Sequence, residues 1–279
     1  MEFFRQTKTI NFMGGSKLAI AISIILVLSS YALLFTKGLN FGVDFAGGTI
    51  VQVKYEKTAP IDAMREQLSG NEMFQGASIT EFGSPDEVII RLKSSSKDVS
   101  KDVGDVTREA LKGTGDYTIR RVDIVGPKVG DELREKGVMS LLLAMIGILI
   151  YVAFRFEWRF AVASIFALVH DVSIALGALA LTQIDVNLDV LAALLTILGY
   201  SLNDTIIVFD RIRENRGKKT VLTGDMINIS INQTLSRTIL TSFTTLIVLL
   251  VMYIWGGAGL RSFNFVLIVG IVVGTYSSI

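Results

Sequence analysis

The residue best suited to chemistry is Asp204, an acid within a long apolar stretch. Thr196, Tyr200 and Asp204 recur every four residues, and Ser201 precedes the acid by one helical turn, so a helix would carry them as one polar stripe. An ionisable side chain inside a bilayer costs about 2.5 to 3.5 kcal/mol on insertion scales and usually faces a bundle interior or water. Asp204 is therefore a candidate proton carrier. The alternative is an acid wetted by lipid headgroups at a helix end.

Arg237 is a second candidate, just before the next apolar stretch. An arginine near Asp204 would favour the ionised carboxylate, whereas burial would favour the neutral acid. A carboxyl group balanced between these effects can exchange a proton when the conformation changes. The alternative is an ordinary positive anchor at the membrane surface. Four uncharged polar residues share the helical face of Arg237: Gln233, Thr234, Thr241 and Thr244.

His170 and Asp171 form a third candidate group, near the middle of another apolar stretch. Neighbouring residues point about 100° apart on a helix, so we expect that they do not both face one partner. Two roles stay open for them: a place in a proton pathway, or hydrogen bonding between helices that fixes packing. Tyr200 and Thr241, on the helical faces of Asp204 and Arg237, share this open assignment.

The composition excludes several other kinds of chemistry. Hydrophobic residues make up 51% and charged residues 19% of the chain, against about 25% charged in soluble domains, which favours a membrane protein. A formal net charge of +1 argues against a nucleic-acid partner. Without cysteine and with one histidine, disulfides, cysteine-ligated zinc and multi-histidine metal sites are excluded. The chain carries no HExxH, GxSxG or GxxxxGK motif, so we expect no enzyme activity and no cofactor.

Six apolar segments are long enough to cross a bilayer, which takes roughly 17 to 25 residues each. We expect the first to be retained, because no small-x-small cleavage site follows it. The chain ends inside the last segment, so we expect the natural protein to continue. The six segments are 18–35, 138–154, 160–181, 190–209, 239–255 and 263–279.

Lysines and arginines between the segments predict the orientation, because short cationic loops stay on the cytoplasmic side. The opposite loops are 182–189, which has no lysine or arginine, and 256–262, in which Arg261 is the only one. The cations of the predicted cytoplasmic side are Arg5, Lys8, Lys17, Arg155, Arg159, Arg211, Arg213, Arg216, Lys218 and Lys219.

This pattern predicts a multi-pass inner-membrane protein with a cytoplasmic N-terminus and one domain on the outer side of the membrane. The predicted parts are a cytoplasmic N-terminus at 1–17, transmembrane helix 1 at 18–36, an outer domain at 37–137, and helices 2–6 at 138–279 with a cytoplasmic linker at about 210–236.

The 37–137 segment is polar and has the pattern of a soluble α+β domain. Its predicted order, βαββαβ, matches the ferredoxin-like split motif. We place a turn at Ser84-Pro85-Asp86 and interpret Gly42, Gly47 and Gly48 as a tight junction rather than a phosphate loop. The predicted strands are 49–55, 77–82, 88–92 and 117–125, and the helices are 61–68 and 99–111.

Several blocks of sequence resemble the SecD/SecF family of protein-export membrane proteins, and within it the SecF branch. Together they extend the resemblance over essentially the whole chain. The blocks are FGVDFAGGT at 41–49, VGPKVG at 125–130, VHDV at 169–172, GYSLNDT at 199–205 with DRIREN at 210–215, and NQTLSRT at 232–238.

The resemblance implies a partner of SecD in a SecDF complex, with six of the twelve helices of a resistance-nodulation-division (RND) bundle. In that family an aspartate of the fourth helix and an arginine at the head of the fifth belong to the proton pathway, and they match Asp204 and Arg237. SecD carries the complementary acids.

The implied function is to assist Sec-dependent translocation by coupling proton motive force to movement of periplasmic domains, with the SecYEG translocon and the translocating preprotein as further partners. Two alternatives stay open. One is half of a proton-coupled exporter of a small solute or lipid, and the other is a translocon scaffold that transports nothing.

Overall fold

The computed structural model describes residues 9–93, 103–218 and 221–279. Some sequence predictions lie outside these residues, namely the cations Arg5, Lys8 and Lys219 and the beginning of the helix predicted at 99–111.

The first membrane helix is α1 (Phe12–Thr36). Asn11 caps it, because its side-chain oxygen accepts the backbone N–H of Gly14 at 2.9 Å. The helix begins earlier than the apolar segment predicted at 18–35, because hydropathy marks the membrane core and not the helix end. A short helix, α2 (Val43–Ala46), then leads into the soluble domain.

The soluble domain is an α+β unit with the predicted order of elements. Its described strands form one sheet in the order β2-β3-β1-β4, and each neighbouring pair is antiparallel. This is the ferredoxin-like arrangement that the sequence predicted. The elements are β1 (Gly48–Tyr55), α3 (Ile61–Ser69), β2 (Ser78–Phe82), β3 (Ser84–Lys93), α4 (Val103–Ala110) and β4 (Tyr117–Val125).

The turn predicted at Ser84-Pro85-Asp86 is wrong. These residues begin β3, and the chain reverses at Gly83, whose φ of 76° suits glycine. Pro85 lies in a bulge between the pairs Phe82–Ser84 and Glu81–Val88, so its missing N–H breaks no ladder bond there. A turn-like composition at this point therefore marks an irregular strand beginning.

Five further long helices follow the domain. With α1 they make six helices, among the described residues, that are apolar and long enough to span a membrane, which confirms the predicted number. They are α5 (Pro127–Arg155), α6 (Trp158–Thr182), α7 (Leu188–Arg216), α8 (Gly224–Trp255) and α9 (Ala258–Ser277).

The linker predicted at about 210–236 is mostly helical. Helix α7 continues to Arg216 and α8 already begins at Gly224. Thr223 caps α8, since its hydroxyl oxygen accepts the N–H of Met226 at 3.4 Å. Polar residues extend both helices beyond the apolar segments from which the spans were predicted.

The centre of the bundle is formed by α6 and α7. In the apolar 18-residue stretch of α7, half of the residues are buried within the chain, whereas in the corresponding stretch of α1 only 6% are buried. Leu179, Val190, Ile197 and Ile271 are almost fully buried where α6, α7 and α9 meet. The apolar outer faces of α1, α5 and α8 stay exposed, as helices that contact lipid or a second helical subunit require.

Connections at the two ends of the bundle are distinct. At one end Arg216 pairs with Glu157 at 2.5 Å and Arg155 with Asp210 at 3.5 Å, which joins the α5–α6 and α7–α8 turns. The guanidinium of Arg216 holds the pKa of Glu157 below its ordinary value. The soluble domain lies at the other end.

The junction between domain and bundle is tight, in agreement with the interpretation of its glycines. A Cβ at Gly42 would overlap the side chain of Asn187, and Gly47 adopts a φ of 76°. A Cβ at Gly130 of α5 would lie 2.8 Å from the carbonyl oxygen of Phe45. Small residues therefore let α2 pack directly on α5.

Helix α1 docks on α6 through one glycine. A Cβ at Gly177 would overlap Ser30 of α1, and the hydroxyls of Tyr31 and Ser173 lie 3.2 Å apart one turn away. The absence of a side chain at Gly177 sets the distance between the two helices.

We expect Gly177→Leu to displace α1 from α6, because the new side chain would occupy the position of Ser30. The chain has no native cysteine, so cross-linking of Tyr31→Cys to Ser173→Cys with a short bismaleimide reports this contact specifically. The cross-link should be lost in Gly177→Leu. It should persist in Gly147→Leu, where nothing lies within 4 Å, and persistence in both variants would contradict the packing argument.

Candidate functional site

Asp204 lies inside the helix bundle, on the face of α7 that packs within the chain. Its side chain is 2% exposed, which does not fit an acid wetted by headgroups. Neither carboxylate oxygen has a hydrogen-bond partner in the described part of the chain. A buried carboxylate without donors is costly, and either a proton or an approaching cation relieves that cost.

Helix α8 brings a second unpartnered group to the level of Asp204. The hydroxyl of Tyr200 meets Ser242 at 3.4 Å, and Asn215 donates to Ser230 at 2.8 Å, so α7 and α8 run antiparallel. This register places Thr238 opposite Asp204. The hydroxyl of Thr238 is also buried without a hydrogen-bond partner among the described residues.

Arg237 is adjacent to Thr238 in sequence, but its side chain points to the surface of the chain. It lies near enough to attract the Asp204 carboxylate electrostatically. The two side chains form no direct ion pair within the described residues. A closer approach of Arg237 to Asp204 stays a prediction.

The predicted polar stripe of α7 divides in the structure. Tyr200 is half-buried, and its hydroxyl donates a hydrogen bond to Ser242 of α8. The hydroxyl of Ser242 in turn lies 2.7 Å from that of Thr275 of α9. Thr196 is exposed and donates to its own helix, as Thr241 of α8 does to the carbonyl of Arg237 at 3.0 Å. Tyr200 is thus connected to neighbouring helices, whereas the hydroxyls of Thr196 and Thr241 bond to their own helices.

Asp171 is the centre of a separate cluster, in which both of its carboxylate oxygens have hydrogen-bond partners. Its carboxylate accepts the hydroxyl of Ser201 at 2.5 Å and that of Ser277 at 2.9 Å, which ties α6 to α7 and α9. His170 Nδ1 lies 2.8 Å from the other carboxylate oxygen. The imidazole of His170 thus folds back onto its neighbour, while the other carboxylate oxygen of Asp171 faces α7 and α9.

Sequence reasoning missed Ser277, because an uncharged serine near the end of an apolar helix gives almost no signal. It assigned Ser201 to the stripe of Asp204, whereas the structure bonds its hydroxyl to Asp171. The two acids differ sharply, since Asp171 has three hydrogen-bond partners and Asp204 has none. A carboxylate fixed by its neighbours suits packing, and one without partners suits proton exchange.

No group of three metal-ligating side chains occurs in the residues that the structure covers.

Comparison with known proteins decides the family. The model of the protein export membrane protein SecD/SecF C-terminal region matches residues 106–279. The chain belongs to the SecD/SecF family. The SecD/SecF GG motif also matches residues 32–59, which contain the glycine junction between α1 and β1.

Full-length relatives place the chain in the SecF branch. The protein translocase subunits SecF of Helicobacter pylori strain J99 and of Calditerrivibrio nitroreducens are 46% and 47% identical, each over the whole chain and over 87% and 93% of their own lengths. SecF of Vibrio alginolyticus is 46% identical over the whole chain and 89% of its own length.

The fold agrees with solved SecDF structures. SecDF from Thermus, a translocon-associated membrane protein, matches 99% of the chain with a TM-score of 0.83 and 39% identity. A super-membrane-facing form of SecDF matches with a TM-score of 0.74 and 38% identity. The chain spans 38% of the length of each SecDF chain.

We expect Asp171→Ala to destabilise the folded bundle by about 2 to 4 kcal/mol, because two serine hydroxyls and His170 lose their shared acceptor. The measurement is the unfolding free energy in mixed micelles on addition of dodecyl sulfate. Asp210→Ala is the control, since it removes only exposed ion pairs worth less than about 1 kcal/mol. Equal losses in the two variants would disprove a special role for the Asp171 cluster.

Proposed function

We propose that this chain is the SecF subunit of a SecDF complex, in which proton movement through Asp204 assists Sec-dependent protein translocation. The observation that carries the proposal is the burial of the Asp204 carboxylate without any hydrogen-bond partner in the described chain. Membership in the SecF family supplies the translocase context. Its further partners are SecD, the SecYEG translocon and the translocating preprotein.

Asp204 and Arg237 supply opposing effects on one proton. Burial without donors favours the neutral acid, and the cation of Arg237 favours the carboxylate. A small change in their separation therefore decides whether the proton is held. One charge crossing 100 mV supplies about 2.3 kcal/mol and one pH unit about 1.4 kcal/mol, enough to shift a conformational equilibrium more than tenfold.

The second half of the proton site belongs to SecD in this proposal. Arg237, Asn203 and Gly199 are exposed on this chain, on the helices that carry the site. A twelve-helix RND-type bundle would cover such a surface with the six helices of SecD. The alternative of an exporter half gains no support, because the described soluble part is a single small α+β domain.

The proposed orientation follows from the charges at the two ends of the bundle. Arg155, Arg213 and Arg216 gather at the end opposite the soluble domain. Short cationic loops remain in the cytoplasm, which puts the N-terminus inside and the domain in the periplasm. The proposed periplasmic part extends from 37 into the polar first turns of α5.

Helix α8 connects the proton site to the soluble domain. From Arg237 to Trp255 it rises about 27 Å. At its far end the turn to α9 contacts the β2–β3 turn, since a Cβ at Gly259 would lie 2.8 Å from the ring of Phe82. The soluble domain and the α8–α9 end of the bundle together line one cleft, to which they contribute, among others, Pro85 and Trp255. A shift of α8 would thus reach the domain directly.

The test of the proposed function is translocation of a preprotein into membrane vesicles that contain SecYEG, SecD and this chain. In Asp204→Asn we expect stimulation by a proton gradient to disappear, because the side chain no longer exchanges a proton. Copurification with SecD should be unchanged. Asp210→Asn, on the same helix but exposed, should keep full stimulation.

If stimulation survives in Asp204→Asn, the residue is structural and the chain is better described as a scaffold. If Asp204→Asn instead impairs translocation, a scaffold in which Asp204 and Arg237 act as a structural ion pair predicts that adding Arg237→Gln restores function, because no unpaired charge remains. A proton relay would stay inactive in the double variant.

We expect Gly259→Val to weaken gradient-driven translocation while proton uptake and SecD binding persist, because the new side chain would push the β2–β3 turn off the α8–α9 turn. Phe82→Ala should restore part of the loss by making room, which serves as the matched control. Unchanged translocation in Gly259→Val would show that this contact does not transmit the movement.

A further inference from the structure

Asn264 of α9 is a buried amide that the proton path described above does not use. Its side chain is fully buried, and neither Nδ2 nor Oδ1 has a hydrogen-bond partner in the described part of the chain. A carboxamide has two donor hydrogens and an acceptor oxygen, and burial of both groups unpaired is strongly unfavourable. Such a residue needs an explanation other than packing.

The position of Asn264 is near the outer end of the bundle. Phe265, its neighbour, packs its ring 6.5 Å from that of Tyr253 at the end of α8. Thr275 meets Ser242 of α8 further inside, which fixes the register of the two helices. Because Asn264 is buried by helices of this chain, a second subunit does not reach it from the side.

Asn264 lies in line with the polar groups that lead to Asp204. On α9, Asn264, Leu267, Ile271 and Thr275 recur at spacings of three, four and four, so they share one face. Thr275 lies about 16 Å further along the axis and begins the connection through Ser242 to Tyr200. Tyr200 precedes Asp204 by one helical turn.

The interval between Asn264 and Thr275 is apolar. Leu267 and Ile271 are both buried in the central cluster, together with Leu194 and Leu249. Water does not persist between such side chains, but it is held where polar groups offer two to four hydrogen bonds. A fixed amide at the outer edge of this apolar interval therefore marks where a water chain from outside would end.

We infer that Asn264 binds water in the outer half of the bundle and is the outermost fixed group on the proton route to Asp204. The inference rests on the proposed function of Asp204. The amide donates to one water and accepts from another, which orients a short chain toward the bundle centre. Leu267 and Ile271 form the barrier that water crosses only when α8 and α9 separate.

The test measures proton influx and stability together in vesicles that contain SecD and this chain. In Asn264→Leu, influx followed by an interior pH dye should fall roughly tenfold, because the water-binding group is gone. Its unfolding transition in dodecyl sulfate should move to higher detergent, since an amide that bonds to water but to no group of the described chain is replaced by an apolar group of similar size among apolar neighbours. Loss of influx with a gain of stability is a combination that a packing residue does not give.

Asn264→Ser is the conservative variant, since it keeps a donor, an acceptor and room for water, and it should retain most of the influx. If Asn264→Leu conducts like the parent, or if it destabilises the bundle, Asn264 is a packing residue and the inference is wrong.

Asp204→Asn is measured in parallel. Influx lost in Asp204→Asn but kept in Asn264→Leu overturns only the water site, whereas influx kept in Asp204→Asn overturns the proposed function itself.

Discussion

The constraint on which this bundle depends is that a polar side chain buried among helices in a membrane is costly unless it finds a partner within reach. Asp171 meets it with two serines and a histidine, and those contacts hold three helices in one register. Asp204 lies one turn beyond Ser201 on the helix so fixed, and its carboxylate is left without donors. A satisfied acid thus positions an unsatisfied one, and in our proposal only the unsatisfied acid exchanges a proton.

Much of the architecture could be predicted from sequence, because hydropathy and period-two alternation report burial directly. The six spans and the βαββαβ order belong to this class. The ends of α7 and α8 could not be placed, since polar residues continue a helix beyond the membrane without changing its hydrogen bonding. The strand beginning at Ser84 looked like a turn, because a bulge accommodates proline as readily as a turn does.

Only the charged residues of the candidate site could be predicted from the sequence. Asp204 and Arg237 stand out in an apolar sequence, but Ser277 and Asn264 do not, since uncharged polar residues are common in membrane helices. Their importance depends on which neighbours they meet, and that is set by the packing of helices far apart in the chain. The packing of α9 on α7 depends on a contact between a glycine and a bulky side chain, Gly270 against Ile197, that no periodicity encodes.

The attachment of the soluble domain limits the ways in which it can move. The chain enters the domain at Gly48 and leaves it at Val125, and these two residues are paired neighbours on β1 and β4. Two connections side by side act as a hinge with a single axis, which permits tilting and resists twisting. The contact of Phe82 with the α8–α9 turn lies at the opposite edge of the sheet, on β2, away from that axis. A small displacement of that edge would therefore tilt the whole domain about the paired strands β1 and β4.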